Sequence, residues 1–123
     1  MKGVMPQEIE VWYILPALRK EFSKIMVNKS LTQREIAKKL YITEAAISQY
    51  LKGKRGGNLE FTDEIKNEIN ESVDRLLQKG NIVQEFQLLC RKIRKSSMLC
   101  EIHKKYGIVP PECEQGVICL EEA

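Results

Sequence analysis

The cysteines carry the most reactive chemistry in this sequence, and they are unevenly placed. Residues 1–89 hold none, and Cys90, Cys100, Cys113 and Cys119 fall in the last 34. Their spacing is C-x9-C-x12-C-x5-C, with the one histidine, His103, three residues after Cys100. The paired C-x2-C knuckles of zinc fingers and ribbons are missing. An iron–sulfur cluster needs soft thiolates and accepts irregular spacings when they come from helix ends and a loop. Cys90 and Cys100 meet at one centre only if the chain turns back between them, because ten helical residues advance about 15 Å. Three readings stay open: an iron–sulfur cluster, a zinc site, and free thiols or a redox disulfide. In the last of these Cys90, which lies on an apolar stripe, is a buried small hydrophobe. His103 reads as an exposed residue or an outer neighbour of the site, although it shares a helical face with Cys100 and has the spacing to ligate.

A second set of residues is suited to recognition. The segment 31–57, LTQREIAKKLYITEAAISQYLKGKRGG, predicts two short helices with almost nothing between them. Thr32 caps the first and Glu35 completes a capping box, while Ile36, Ala37 and Leu40 face inward. Thr43 caps the second, which ends where Gly53 supplies a left-handed residue. Helices separated by Tyr41 and Ile42 alone must cross steeply, as in a helix-turn-helix. Ala37 fits the close contact, and Ile42, Ile47 and Leu51 do the packing. Glu44, Ala45, Ser48 and Gln49 then point outward to reach base edges in a major groove. Thr32 and Gln33 are placed to bind a phosphate at a helix N-terminus. Arg34, Thr43, Lys52, Lys54 and Arg55 complete the expected DNA-contacting set, with Lys38 and Lys39 beside them. Glu44, an acceptor only, is expected to read a cytosine N4 donor.

The opening Leu-Thr-Gln-x-x-Ile-Ala and the later Ile-Ser-x-x-Leu resemble the helix-turn-helix of the phage-repressor-like (Xre/Cro) family. More narrowly, VWYILPALRKEF, LTQREIAKKL, TEAAISQYLKGKRGG and the cysteine-bearing tail resemble a group of archaeal predicted transcriptional regulators. That likeness covers most of the chain. It implies sequence-specific DNA binding and a cysteine-ligated cluster or metal serving as sensor. Tyr41 departs from the pattern, since such motifs usually place Gly at the turn.

The remaining elements are also helical, so the expected fold class is all-α. Residues 7–28 place Val11, Ile14, Leu15, Leu18, Phe22, Ile25 and Met26 at helical spacing. Pro16 kinks that helix or starts its second segment. Trp12 and Tyr13 read as core or interface packing. After the basic loop Lys54-Arg55-Gly56-Gly57, a helix capped by Thr62 carries Ile65, Ile69, Val73, Leu76 and Leu77. The next carries Val83, Phe86, Cys90 and Ile93. A break at Ser96-Ser97, a short helix through Tyr106 and an irregular tail after Pro110-Pro111 follow. The loop marks the expected boundary between a DNA-binding domain, 1–57, and a helical dimerisation and cysteine region, 58–123.

Composition narrows the function classes. With 123 residues, 43% hydrophobic and 30% charged, the chain suits one compact domain or two very small ones. Val11 to Leu18, the longest apolar run, is far below the roughly 20 residues of a membrane span. The N-terminal residues lack a signal-peptide pattern, so a cytoplasmic location is expected. Net charge is +3, but ten Lys/Arg stand against three acids between Leu15 and Arg55, and six acids against one lysine between Glu60 and Asp74. A basic half followed by an acidic helix is expected of a nucleic-acid-binding module joined to another unit. One histidine and no C-x-x-C leave no catalytic constellation to assemble, so no enzyme is expected.

The expected function is therefore a homodimeric regulator that binds a palindromic operator in double-stranded DNA. Its dimer surface is expected on the stripes of helices 62–79 and 83–95, and an iron–sulfur cluster, or zinc, is expected in the tail. The alternative is a helix-turn-helix that contacts a protein, braced by structural zinc or disulfides.

Overall fold

The computed structural model describes residues 5–57, 59–96, 98 and 102. Among these the protein is all-helical, with no strand. The order is α1 (Pro6–Ile9), a π-helical turn (Glu10–Ile14), α2 (Leu15–Asn28), α3 (Gln33–Leu40), α4 (Glu44–Leu51), α5 (Asp63–Gln78) and α6 (Ile82–Lys95). Helix α2 is the centre: it packs against α3, α4 and α5, and α5 packs against α6.

Pro16 explains the π-helical turn. It has no N–H to give to the carbonyl four residues back, and its ring would collide with that carbonyl in an α-helix. Widening the turn ahead of it removes the conflict, and the Leu15 N–H donates to the carbonyl of Glu10, five residues back. The buried face shifts accordingly. Ile9 and Ile14, five apart, are both fully buried, while Val11 is 57% and Trp12 53% exposed. The expected stripe is thus correct from Ile14 onward and wrong at Val11. Trp12 lies outside the core, whereas Tyr13 packs against it.

The other helices end on local signals. Thr62 accepts a hydrogen bond from the Ile65 N–H at 3.3 Å, and Asn81 accepts one from the Val83 N–H at 2.8 Å. Ser30 takes a left-handed φ of 72°, which lets the Leu31 N–H reach the Met26 carbonyl at 3.1 Å and closes α2. Gly80 lies against the end of α5, where an added Cβ would come within 2.7 Å of the Arg75 carbonyl oxygen.

One apolar core joins the regions on either side of residue 57. It runs from Ile9, Leu18 and Phe22 through Ile36 and Ile47 to Ile65, Val73, Leu89 and Ile93, and takes in Met98 and Ile102. Phe22 of α2 meets Phe86 of α6 edge to face, with centroids 5.0 Å apart and planes at 80°. The stripe of α5 is buried as expected, with Leu77 at its edge. The α6 stripe is buried at Phe86, Cys90 and Ile93 as expected and gains Ile82 and Leu89, while Val83 is 57% exposed. These faces are consumed by the chain's own core, so they do not supply the dimer surface expected from them. No helix among the described residues is long and apolar enough to cross a membrane.

A buried polar contact fixes α5 against α6. The Glu85 carboxylate accepts from the Ser72 hydroxyl at 2.6 Å and pairs with the Arg75 guanidinium at 2.9 Å. Burial opposes ionisation of Glu85, but Arg75 and Ser72 outweigh it and hold the carboxyl below its ordinary value. Lys92 pairs with Glu68 across the same two helices, and Lys29 with Asp74 at 3.2 Å across α2 and α5.

Candidate nucleic-acid interface

Helices α3 and α4 have eight residues each and are joined by Tyr41, Ile42 and Thr43. Tyr41 takes the left-handed conformation, φ 55° and ψ 41°, which Gly would adopt without strain. The turn closes because the Tyr41 and Ile42 N–H groups both donate to the Ala37 carbonyl. The Ile42 bond is the six-residue closure of a Schellman motif and the Tyr41 bond that of the simpler left-handed cap, and together they bring Ile42 back over Ala37. Ala37, Ile47 and Leu40 are buried, and Ile42 and Leu51 pack at the edge of the core, as expected. Ala46 and Tyr50 are also buried; both follow from α4 lying on α2 as well as α3.

Both helix starts are built as the sequence implies. The Thr32 N–H donates to Glu35 at 2.9 Å and the Thr32 hydroxyl accepts from the Glu35 N–H at 3.1 Å. The Thr32 backbone N–H, and after it the Thr32 hydroxyl, hold the Glu35 carboxyl below its ordinary value. The Thr32 backbone N–H is therefore engaged inside the capping box. The groups left at that helix start to meet an anion are the Gln33 and Arg34 N–H groups and the exposed side chains around them. Thr43 likewise accepts from the Ala46 N–H at 3.1 Å and presents Glu44 and Ala45 at the start of α4.

Thr32, Gln33, Arg34, Thr43, Glu44, Ala45, Gln49, Lys52, Lys54 and Arg55 are exposed, and Ser48 is half-buried. Lys38 and Lys39 are exposed on α3. The ion pairs among the described residues involve none of Arg34, Lys38, Lys39, Lys52, Lys54 or Arg55. The basic loop is held in place. Gly53 is left-handed at φ 75°, and the Lys54 N–H closes α4 on the Gln49 carbonyl at 2.9 Å. Gly56, at φ 92°, rests on Lys20, where a Cβ would come within 2.8 Å of the lysine's own Cβ. The Lys20 ammonium donates to the Gly57 carbonyl at 2.9 Å. Sequence reasoning missed Lys20, because its partner is 37 residues away and no local pattern connects them.

Of the four candidate metal ligands, Cys100, Cys113 and Cys119 lie outside the described residues, as does His103. Cys90 sits in the core, 7% exposed. Burial, then the neighbouring Glu10 carboxylate, pushes its thiol up to about 12, against the opposing pull of Arg94. A metal ligand must be a thiolate, so Cys90 would have to give up this proton to ligate. Among the described residues no group of three or more His, Cys, Asp and Glu is placed to hold a metal ion. No protein-family model, curated protein or solved structure matches this chain.

Proposed function

We propose that the protein is a DNA-binding transcriptional regulator whose α3–α4 pair acts as an Xre/Cro-like helix-turn-helix. The observation that carries this reading is the capped α3–α4 pair, with small polar residues on α4 and six exposed cations, three on α3 and three just after α4, that take no part in the ion pairs among the described residues. Glu44, Ala45, Ser48 and Gln49 would face base edges, and the arginines and lysines would meet phosphates. The capped start of α3 adds two backbone N–H donors for one more phosphate. The resemblance of the Leu-Thr-Gln-x-x-Ile-Ala and Ile-Ser-x-x-Leu segments to that family points the same way, and a two-fold dimer on a palindromic operator is the geometry it implies.

The same proposal assigns the tail a sensing role, with Cys90, Cys100, Cys113 and Cys119 holding an iron–sulfur cluster, or zinc as the alternative. Its support is the clustering of all four cysteines in one third of the chain. Cys90 would join the other three as a thiolate. Iron, zinc and acid-labile sulfide measured per chain after purification without oxygen separate these cases.

The DNA-binding reading is tested by selecting bound sequences from a random duplex pool with the full chain, then titrating the winner at several salt concentrations. We expect an enriched palindrome and a log–log salt slope near −0.9 per phosphate contacted. No enrichment, with an affinity indifferent to salt, overturns it and favours a helix-turn-helix that contacts protein.

A further inference from the structure

A cavity of about 540 Å³, within the size range of small-molecule sites, lies between the π-helical turn, the α3–α4 turn and α6. Its walls are mostly apolar. Leu15, Ile42, Ile82 and Phe86 are buried or half-buried there, and Val11, Tyr41 and Val83 line it while remaining 57%, 72% and 57% exposed. Half of the large exposed apolar side chains among the described residues thus belong to this one cavity.

The π-helical turn builds one wall. An uninterrupted α-helix would have set Val11 on the core stripe of Ile14 and Leu18. The extra residue before Pro16 keeps Ile14 in the core and turns Val11 to the cavity instead. Such turns recur at functional sites. Three charged side chains also line the cavity: Glu10, Arg19 and Arg94. Glu10 and Arg94 pair with each other at 3.5 Å, so their charges cancel. Arg19 is half-buried and takes part in none of the ion pairs among the described residues. The cavity therefore carries one net positive charge, on Arg19, against apolar walls.

We propose that this cavity binds a small monocarboxylate with an apolar body, its carboxylate on Arg19 and its body against Val11, Ile42, Val83 and Phe86. One negative charge is what Arg19 compensates; a dianion would leave a charge unpaired against apolar walls. The planar guanidinium matches a carboxylate with two parallel hydrogen bonds. Gln7 and Gln87 line the same cavity and carry amide donors for the remaining carboxylate lone pairs. Tyr41 and Ile42 ties the site to function: they form the turn before α4, so an occupant packed on them biases how α4 is set and changes DNA affinity by linkage. That last link rests on the DNA-binding reading; the binding site does not.

The test is to titrate the full chain, without DNA, with octanoate, benzoate and phenylbutyrate and with the corresponding primary alcohols, following backbone amide chemical shifts. We expect at least one carboxylate to shift the Val11, Tyr41 and Val83 amides with a dissociation constant of about 1 mM or below, and its alcohol to bind about tenfold or more weakly. Arg19→Met keeps an apolar stem and should abolish that preference, leaving the alcohol's affinity and the melting midpoint unchanged. The proposal is overturned if no carboxylate moves those amides at about 10 mM, or if acid and alcohol bind equally. It is also overturned by an Arg19→Met chain that keeps its carboxylate affinity but loses DNA affinity, which would give Arg19 to a phosphate. DNA affinity with and without the carboxylate is measured separately. Equal values refute the coupling alone, and a chain that binds the carboxylate but no DNA refutes the DNA-binding reading alone.

Discussion

The Lys20 ammonium donates a hydrogen bond to the Gly57 carbonyl oxygen at 2.9 Å, joining the middle of α2 to the end of the basic loop. Gly56 lies flat on the same lysine stem, so the loop carrying Lys54 and Arg55 is held at two adjacent points. Lys20 thereby acts as a positioning residue for two cations that the DNA-binding reading places on phosphates. Lys20→Met keeps the stem and removes the donor. Since the bond is exposed, stability should change by no more than about 0.5 kcal/mol. Amide exchange across residues 53–57 should quicken, and DNA affinity should fall severalfold at low salt. Unchanged exchange in that loop would show that Gly56 packing alone holds it.

Tyr41 carries its left-handed backbone at 72% exposure, so its ring gives little packing in return. A non-glycine residue in that region costs about 1–2 kcal/mol. Tyr41→Gly should stabilise the monomeric fold by about 1 kcal/mol and raise the melting midpoint by several degrees, less the extra chain entropy of glycine in the unfolded state. Denaturant midpoints at low protein concentration check this. A loss of stability there would mean that the ring contributes packing to the folded monomer.

What was legible in the sequence was local. Thr32, Thr43, Thr62 and Gly53 mark helix ends because each signal involves neighbours within a few residues, and all four act as read. Pro16 announced a break but not its form: a kink and a π-helical turn have the same sequence trigger, and they differ in whether Val11 faces the core. On α6 Phe86, Cys90 and Ile93 are buried as read, and the misreading is confined to the first turn, where adjacent Ile82 and Val83 are both apolar and periodicity alone does not choose between them. The Ser72–Glu85–Arg75 contact was illegible for another reason. A glutamate beside Phe86 reads as a solvated neighbour until the facing helix is known to bring Ser72 and Arg75 to it.

Glu85 provides a pH-dependent test of that contact. Its folded carboxyl titrates below the ordinary glutamate value, so its contribution to stability is full above that ordinary value and is lost as pH falls through the lower folded one. Glu85→Gln removes the charge and keeps the shape. At neutral pH the variant should be less stable by about 1–3 kcal/mol, because the Ser72 hydroxyl and Arg75 lose their charged acceptor. The gap from wild type should narrow in acid, where Glu85 is protonated in both states. Urea midpoints from neutral pH down to the acid transition measure it. A gap that stays constant would assign the loss to shape and not to charge.

Cys90 gives the opposite sign. Its folded thiol is pushed up to about 12 from 9.0, so the folded state keeps the proton over a range in which the unfolded state releases it. The stability it contributes is full below pH 9.0 and declines as pH rises toward 12. A chain keeping Cys90 and carrying serine at 100, 113 and 119 isolates this thiol in a metal-free protein. At pH 8 alkylation of the folded form should be slower than that of the urea-unfolded form by about a hundredfold or more, since thiolate and access are both denied. The rate should then track global unfolding as urea is added. Fast labelling of the folded chain would place Cys90 outside the core.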